Sequence, residues 1–281
     1  MLSDAKSNVI RDYGILNTEI DSSAIPFYGI PFPGTYLLDE EGRVMHKFFH
    51  ETYKRRENPH TMLDVALGRV ELLDDEPQET GGDDEIRVRV NFHGGAIKQG
   101  AQRRINVRFE MSEGLHVYGE PVPEGMIPVQ IEVNGPDGLI IEDPIWPATE
   151  ILKLKEMDAE LRIWSDTVDI QIPVYALSKL ASEIRPLEVH SLDIQVNVRY
   201  QACNENTCLL PKTETFNLTV PIDTIDVPAM DVFKGNGQKE LSMSPKRHMM
   251  RLIARQFPQN PRRVIRALYG MTFGKNRPRK K

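Results

Sequence analysis

Val198–Pro221 reads VRYQACNENTCLLPKTETFNLTVP. On either side of a polar loop, apolar and polar residues alternate, the period of a half-buried strand. Leu192–Tyr200 is one such run and Thr213–Val220 the other. The loop between them holds Cys203 and Cys208, the two cysteines of a 281-residue chain. Asn204-Glu205-Asn206-Thr207 is polar and turn-prone, so a hairpin here brings the sulfurs within bridging reach, which requires Cα atoms closer than about 7 Å. Three readings are open from spacing alone: a redox pair, two unrelated thiols, or half of a zinc site. Zinc needs two further Cys or His ligands at suitable spacing, and the seven histidines form no such cluster in the sequence.

The same alternation extends upstream. Ile86–Phe92 (IRVRVNF), Arg104–Phe109, Leu115–Tyr118, Pro128–Val133, Leu139–Ile141 and Val168–Val174 precede the two runs above, separated mostly by Gly, Pro, Asp or Asn. About eight short strands at this spacing predict a β-sandwich or barrel over residues 86–228, with one face of each strand buried and the other wet. Ala176–Ile184 reads as a short helix or ordered loop.

The stretch before the sandwich differs. Residues 74–85, DDEPQETGGDDE, are acidic and almost free of large apolar side chains, which predicts a linker. Residues 1–73 read as mixed α/β: a helix end at Ser7–Tyr13, a hairpin from Thr35–Asp39 through Gly42 to Arg43–Phe49, and helical spacing from Met62 to Leu73 after a start at Asn58-Pro59. Beyond the sandwich, residues 229–244 form a polar spacer. Pro245–Lys281 carries 12 Lys or Arg and no acidic residue. The rest of the chain therefore holds 23 basic and 41 acidic residues, a formal net of −18 against −6 for the whole. Met249, Met250, Leu252, Ile253 and Phe257 fit one apolar helix face, and Pro261–Tyr269 fits a second helix with Gly270 just past its end. For this tail, an anionic membrane surface, nucleic acid, the acidic body of this or another protein, and a solvated, partly disordered state are all open. No stacking series supports nucleic acid, and none is expected as a partner.

The composition, 40% apolar and 27% charged, is that of a soluble globular protein. No apolar run approaches the roughly 18 residues of a membrane span. The first residues show no basic segment followed by an apolar one, so the chain as written reads as cytoplasmic, and as periplasmic if its true start lies upstream. No phosphate loop or hydrolase motif is present, and neither a cofactor nor a metal is implied.

Two resemblances add to this. GLHVYGEPVPEGMIPVQIEV (114–133), DTVDIQIPV (166–174) and the cysteine segment resemble the amino-terminal (alpha) domain of the thiol:disulfide interchange protein DsbD. That implies an immunoglobulin-like sandwich in which Cys203 and Cys208 relay electrons to or from a thioredoxin-fold protein or domain, hence a thiol:disulfide oxidoreductase. It also implies that Cys208 forms mixed disulfides and Cys203 resolves them. His116 and Tyr118 fall where the family places aromatic residues beside the pair, and Trp146 falls in the region of its shielding cap. YGILN (13–17), YGIPFPGTYLLDEEGRV (28–44) and FFHETYKRR (48–56) resemble the C-terminal half of an alkyl hydroperoxide reductase/thiol-specific antioxidant (redoxin, peroxiredoxin-like) domain of the thioredoxin superfamily. There Pro33 falls near the cis-proline that precedes the third strand in many thioredoxin folds, a candidate cis-proline whose alternative is a trans proline in a Pro-rich loop. The peroxidatic cysteine of that family has no counterpart in residues 1–73, which predicts a truncated or split reading frame, or a start placed too late, and no peroxidase activity from this chain alone. The two resemblances together imply a fusion associated with disulfide or peroxide reduction and antioxidant activity. The alternative to a redox relay is a non-catalytic sandwich module with a structural disulfide and a redoxin remnant.

Overall fold

The computed structural model describes residues 4, 6–18, 20–23, 28–49, 56–154, 159–204, 207–223 and 245–273. The FFHETYKRR reading at 50–55 and the spacer at 229–244 lie outside them. The chain forms two compact units: Met1–Pro31 with Ser178–Val189 and Thr224–Lys281, and Phe32–Leu177 with His190–Asp223. These do not coincide with a division at residues 74–85.

In chain order the elements are α1 (Asn8–Asp12), β1 (Gly34–Leu38), β2 (Val44–Phe49), α2 (Pro59–Leu67), β3 (Gln78–Gly82), β4 (Ile86–His93), β5 (Arg103–Met111) and β6 (His116–Gly119). Then follow β7 (Gln130–Asn134), β8 (Leu139–Ile141), β9 (Glu150–Leu154), β10 (Ala159–Ser165), β11 (Thr167–Ala176) and α3 (Ser178–Ala181). The chain continues through β12 (Ser191–Tyr200), β13 (Ala202–Cys203), β14 (Lys212–Pro221), α4 (Pro245–Gln259) and α5 (Pro261–Phe273).

The fold is mostly β-sheet, with an antiparallel sandwich. One sheet has the order β3-β4-β5-β11-β8, a second β14-β12-β7, and a third β13-β6-β10-β9. In the first sheet the register places Val88 opposite Phe109 and Val90 opposite Val107, and it sets Ile170 beside Val107 on the next strand. These side chains share one face because strand side chains alternate. They are fully buried or nearly so, as are Ile194, Val196, Val198 and Tyr200 of β12 and Phe216, Leu218 and Val220 of β14. Phe109 meets Tyr200 edge to face at 5.3 Å between ring centres. The Tyr200 hydroxyl donates to Glu214 Oε1 (2.6 Å), and Glu214 Oε2 accepts from the Gly82 amide (2.6 Å). Gly82 has φ +92°, and a Cβ there would lie 1.9 Å from the Ile86 carbonyl oxygen, so this turn admits only glycine.

The acidic run expected as a linker therefore carries an edge strand. Its Glu side chains do not lack partners: Glu79 accepts from the Asn217 amide (2.7 Å), and Glu76 is buried. Two more strands, β9 and β10, form in a segment of Glu, Lys and Leu, residues of high helix propensity. Leu161 and Ile163 are buried there, and that packing overrides the local preference.

The other face of the first sheet is polar, as alternation requires, but it is not wet. Asn91, His93, Arg104 and Asn106 are all buried. Residues 57–76 lie against it. Asn58 caps α2 by accepting from the His60 amide, and Gly68, at φ +64°, ends the helix well before Leu73. Asp64 of α2 and Glu76 then hold His93 between them, with Nε2 3.0 Å from Asp64 and Nδ1 3.2 Å from Glu76. Glu76 also accepts from Asn91 (2.7 Å) and from the Gly94 amide. Arg108 forms a two-bonded pair with Asp169 (2.7 and 2.9 Å) and donates to the Val70 carbonyl (2.8 Å).

The expected hairpin forms as β1 and β2, with Gly42 in the turn at φ +78° and a register shift at Leu37/Leu38. The Phe32–Pro33 bond is trans. Among the described residues the cis bond is Glu120–Pro121, which corrects the cis-proline expectation at Pro33. Trans is the lower-energy isomer unless packing selects the other.

Burial alone would lower the His93 pKa, but its hydrogen bonds to Asp64 and Glu76 outweigh that and raise it to about 9. A raised folded-state pKa contributes stability that is fully present below the unfolded value near 6.5 and is lost as pH rises through about 9. The urea midpoint should fall between pH 6.5 and 9.5. His93→Gln, which leaves two buried carboxylates without their cation, should cost about 3–5 kcal/mol and flatten that pH dependence. Urea titrations at pH 6 and 9.5 on both proteins check this.

Candidate functional site

The site is built on a very short ladder. After β12 the chain turns at Gln201, and Ala202 and Cys203 of β13 pair with Val117 and His116 of β6. Gln201 fixes this turn twice: its Oε1 accepts from the Ile127 amide (3.2 Å) and its Nε2 donates to the Leu209 carbonyl (3.1 Å). The chain reverses beyond Cys203. Asn204 Oδ1 accepts from the amide of Thr207, three residues on (2.8 Å), and the Leu209 amide donates to the Ala202 carbonyl (2.8 Å). This brings Cys203 and Cys208 opposite each other with Cα atoms 4.0 Å apart, joined as a disulfide. Residues 205 and 206 of the loop lie outside the described set.

The two sulfurs differ in environment. Cys203 is 1% exposed and packs with Tyr118, Leu161 and Ile163, with Val122, Met126 and Leu152 at the margin. Cys208 is exposed. Next to it but one, Leu210 is 86% exposed. An incoming thiolate therefore has access to Cys208 and not to Cys203. Accessibility of the attacked sulfur is one of the factors that sets exchange rate.

His116 and Tyr118 stand on the same face of β6, two residues apart, and so on the face that carries Cys203. Both are buried. The Tyr118 hydroxyl is 3.9 Å from Cys208 Sγ and 3.3 Å from His116 Nε2, and the two rings meet edge to face at 5.2 Å. Burial lowers the His116 pKa and raises that of Tyr118. Both are thus neutral near neutral pH, and the tyrosine keeps a proton it can donate. The sequence-derived pair is brought to the disulfide, with Tyr118 nearer.

Trp146 is not. It is 44% exposed and stacks on Trp164 with ring centres 5.7 Å apart. Trp164 pairs with Val117, one residue off Tyr118, so its side chain points to the opposite face of the β6–β10 ladder from Cys203. The Trp164 indole N–H donates to the Pro147 and Ala148 carbonyls (3.4 and 3.2 Å), holding the Trp146 segment there. The side chains at the margin of the buried sulfur are Val122, Met126 and Leu152. No sequence signal distinguishes them from ordinary core residues, whereas the reversal after Cys203 is announced by the polar, turn-prone Asn204-Glu205-Asn206-Thr207. Among the described residues no group of His, Cys, Asp and Glu forms a metal site.

A hairpin that buries one sulfur of a disulfide and opens the other is suited to exchange. Residues 85–220 match the family model of the thiol:disulfide interchange protein DsbD, N-terminal. The match runs from just before β4 to one residue short of the end of β14 and includes both cysteines. Among solved structures, the chain is similar to the N-terminal periplasmic domain of ScsB from Proteus mirabilis, at 14% identity and TM-score 0.35, covering 52% of each chain. It thus spans about half the length of that relative. The N-terminal domain of Neisseria meningitidis DsbD in its reduced form matches at 15% identity and TM-score 0.29, over 52% of this chain and 85% of that one. The complex of the Neisseria meningitidis DsbD and PilB N-terminal domains matches at 15% and 0.27, over 42% and 80%. No curated protein matches the chain.

After reduction, a brief pulse of iodoacetamide should label Cys208 at least about tenfold faster than Cys203, because reaction requires an accessible thiolate. Peptide mass spectrometry reads the ratio.

Proposed function

We propose that the DsbD-type segment is a thiol:disulfide relay in which Cys208 exchanges and Cys203 resolves, with a thioredoxin-fold protein or domain as partner. The observation that carries this is the asymmetry of the pair: one sulfur is exposed beside a neutral phenol, the other is enclosed. In the reducing direction a partner thiolate attacks Cys208 Sγ. The Cys203–Cys208 bond breaks, its electron pair leaves on Cys203 Sγ, and a proton follows. The partner's second thiolate then attacks its own sulfur in the mixed disulfide and releases Cys208 as a thiolate. Two electrons and two protons have moved, and the partner leaves as a disulfide. The reverse sequence starts from the Cys208 thiolate. Whenever Cys208 is a thiolate, on release in one direction and on attack in the other, the Tyr118 hydroxyl 3.9 Å away donates toward it, and His116 restricts where that hydroxyl points.

Residues 1–73 fit this reading as the C-terminal part of a redoxin-type domain, a natural fusion partner for such a relay. The support is the order of elements, the hairpin β1–β2 followed by the capped helix α2. With no cysteine in this segment, peroxide reduction is not assigned to it. Exposure of Cys208 argues against the alternative, a purely structural bridge.

Cys203→Ser should accumulate a mixed disulfide with a reduced-then-oxidised thioredoxin-fold partner, and Cys208→Ser should not. The couple should titrate between about −120 and −300 mV, the span from strong oxidants to structural bridges. A couple still oxidised below that span, with no trapped adduct, would identify a structural disulfide. Tyr118→Phe removes a donor to a charged sulfur, an interaction of about 1.5–3 kcal/mol. It should raise the Cys208 thiol pKa by about one unit or more, read from the pH profile of alkylation, while the fold is retained.

A further inference from the structure

The C-terminal helices present an unusual face. An amphipathic helix ordinarily turns its apolar stripe to the protein and its charges to water. In α4 the inward side also carries charge, and large apolar side chains face out. Its buried positions include Arg255 and Leu252. Arg255 donates to the carbonyls of Arg185 and Pro186, and His248, half-buried, pairs with Glu183. Met250 and Phe257, on the opposite arc at helical spacing, are exposed, Met250 to 65%, and Met249 at its margin to 37%. In α5 Val264 is buried, while Ile265, Leu268 and Tyr269 are exposed, Tyr269 to 65%. Arginines and a lysine stand beside these side chains: Lys246, Arg247 and Arg251 on α4, and Arg262, Arg263 and Arg266 on α5. Neither helix contains an acidic residue, and five more Lys or Arg follow in residues 274–281.

We infer that α4 and α5 form a docking surface for an anionic lipid bilayer, lying in its interface with the exposed Met, Phe, Ile and Tyr side chains among the acyl chains and the basic side chains on the headgroups. Two features select this occupant. The charge is of one sign over the whole segment, which favours an anionic surface and opposes an ordinary mixed-charge protein face. The exposed apolar side chains are large and set between the cations, which is the composition of interfacial helices. A nucleic-acid surface would use the same cations but would leave Met250, Phe257 and Ile265 with nothing to enter. Neither helix is long and apolar enough to cross a bilayer, so the contact is peripheral. It is independent of the chemistry at Cys203 and Cys208.

The test uses the full chain and sedimented vesicles of phosphatidylcholine, with and without 30% phosphatidylglycerol. Binding should be at least about tenfold tighter with the anionic lipid and should weaken on raising salt from 50 to 500 mM. The combined variant Met250→Asn, Phe257→Asn, Ile265→Asn, Tyr269→Asn changes exposed side chains only and keeps every charge. It should lower vesicle binding about tenfold or more. The variant Arg247→Gln, Arg251→Gln, Arg262→Gln, Arg266→Gln should abolish the preference for phosphatidylglycerol. Circular dichroism confirms that each variant stays folded. No binding to anionic vesicles at 50 mM salt overturns the proposal. So does binding that the apolar variant leaves unchanged, which is adsorption by charge alone. Tighter binding to a 20-base-pair DNA duplex than to the vesicles, insensitive to the apolar variant, would assign the surface to nucleic acid instead.

Discussion

A two-residue ladder decides the chemistry available to this protein. Ala202 and Cys203 pair with Val117 and His116, and that register commits Cys203 to the face of the sheet that carries Tyr118, Leu161 and Ile163. The next turn then has no choice but to bring Cys208 back on the outside. A slip of one residue would send Cys203 to the other face, toward Trp164. Side-chain bonds from Gln201 and Asn204 on both sides of the ladder oppose such a slip.

The sandwich beneath it rests on a division of labour between two faces of one sheet. On one side Val88, Val90, Val107, Phe109 and Ile170 form an ordinary apolar core. On the other, His93, Arg104 and Arg108 are matched with carboxylates, three of which, Glu57, Asp64 and Glu76, come from residues 57–76. Burying charges is costly unless each is paired and further hydrogen-bonded. Glu76 meets that condition through His93, Asn91 and the Gly94 amide. Such a contact is specific in register but sensitive to protonation, unlike the apolar face opposite.

The sequence pattern reveals the elements whose side chains alternate: β4, β5, β11, β12 and β14 are all where period-two runs occur. It misses β9 and β10, because Glu, Lys and Leu carry a helical preference that only the packing of Leu161 and Ile163 reverses. It misses β3, because an edge strand between Asp and Gly clusters satisfies its carboxylates through partners far along the chain, such as Asn217. The wet face expected of the first sheet is covered instead, and no local signal announces that Asp64 and Glu76 flank His93. At the site, the cysteines, His116 and Tyr118 were legible because their resemblance to a family rests on consecutive residues. The face on which Trp146 lies depends on its stacking with Trp164 and on the pairing of Trp164 with Val117, neither of which is written in the neighbourhood of Trp146.

The cysteines are only five positions apart. In the chain-entropy view, a cross-link closing so small a loop restricts the unfolded chain by only about 2 kcal/mol, against nearly 5 for a loop of a hundred residues. Opening it therefore removes little of what keeps the sandwich folded. The scaffold is insulated from the oxidation state of its own sulfurs, and the covalent link can be given up without giving up the shape.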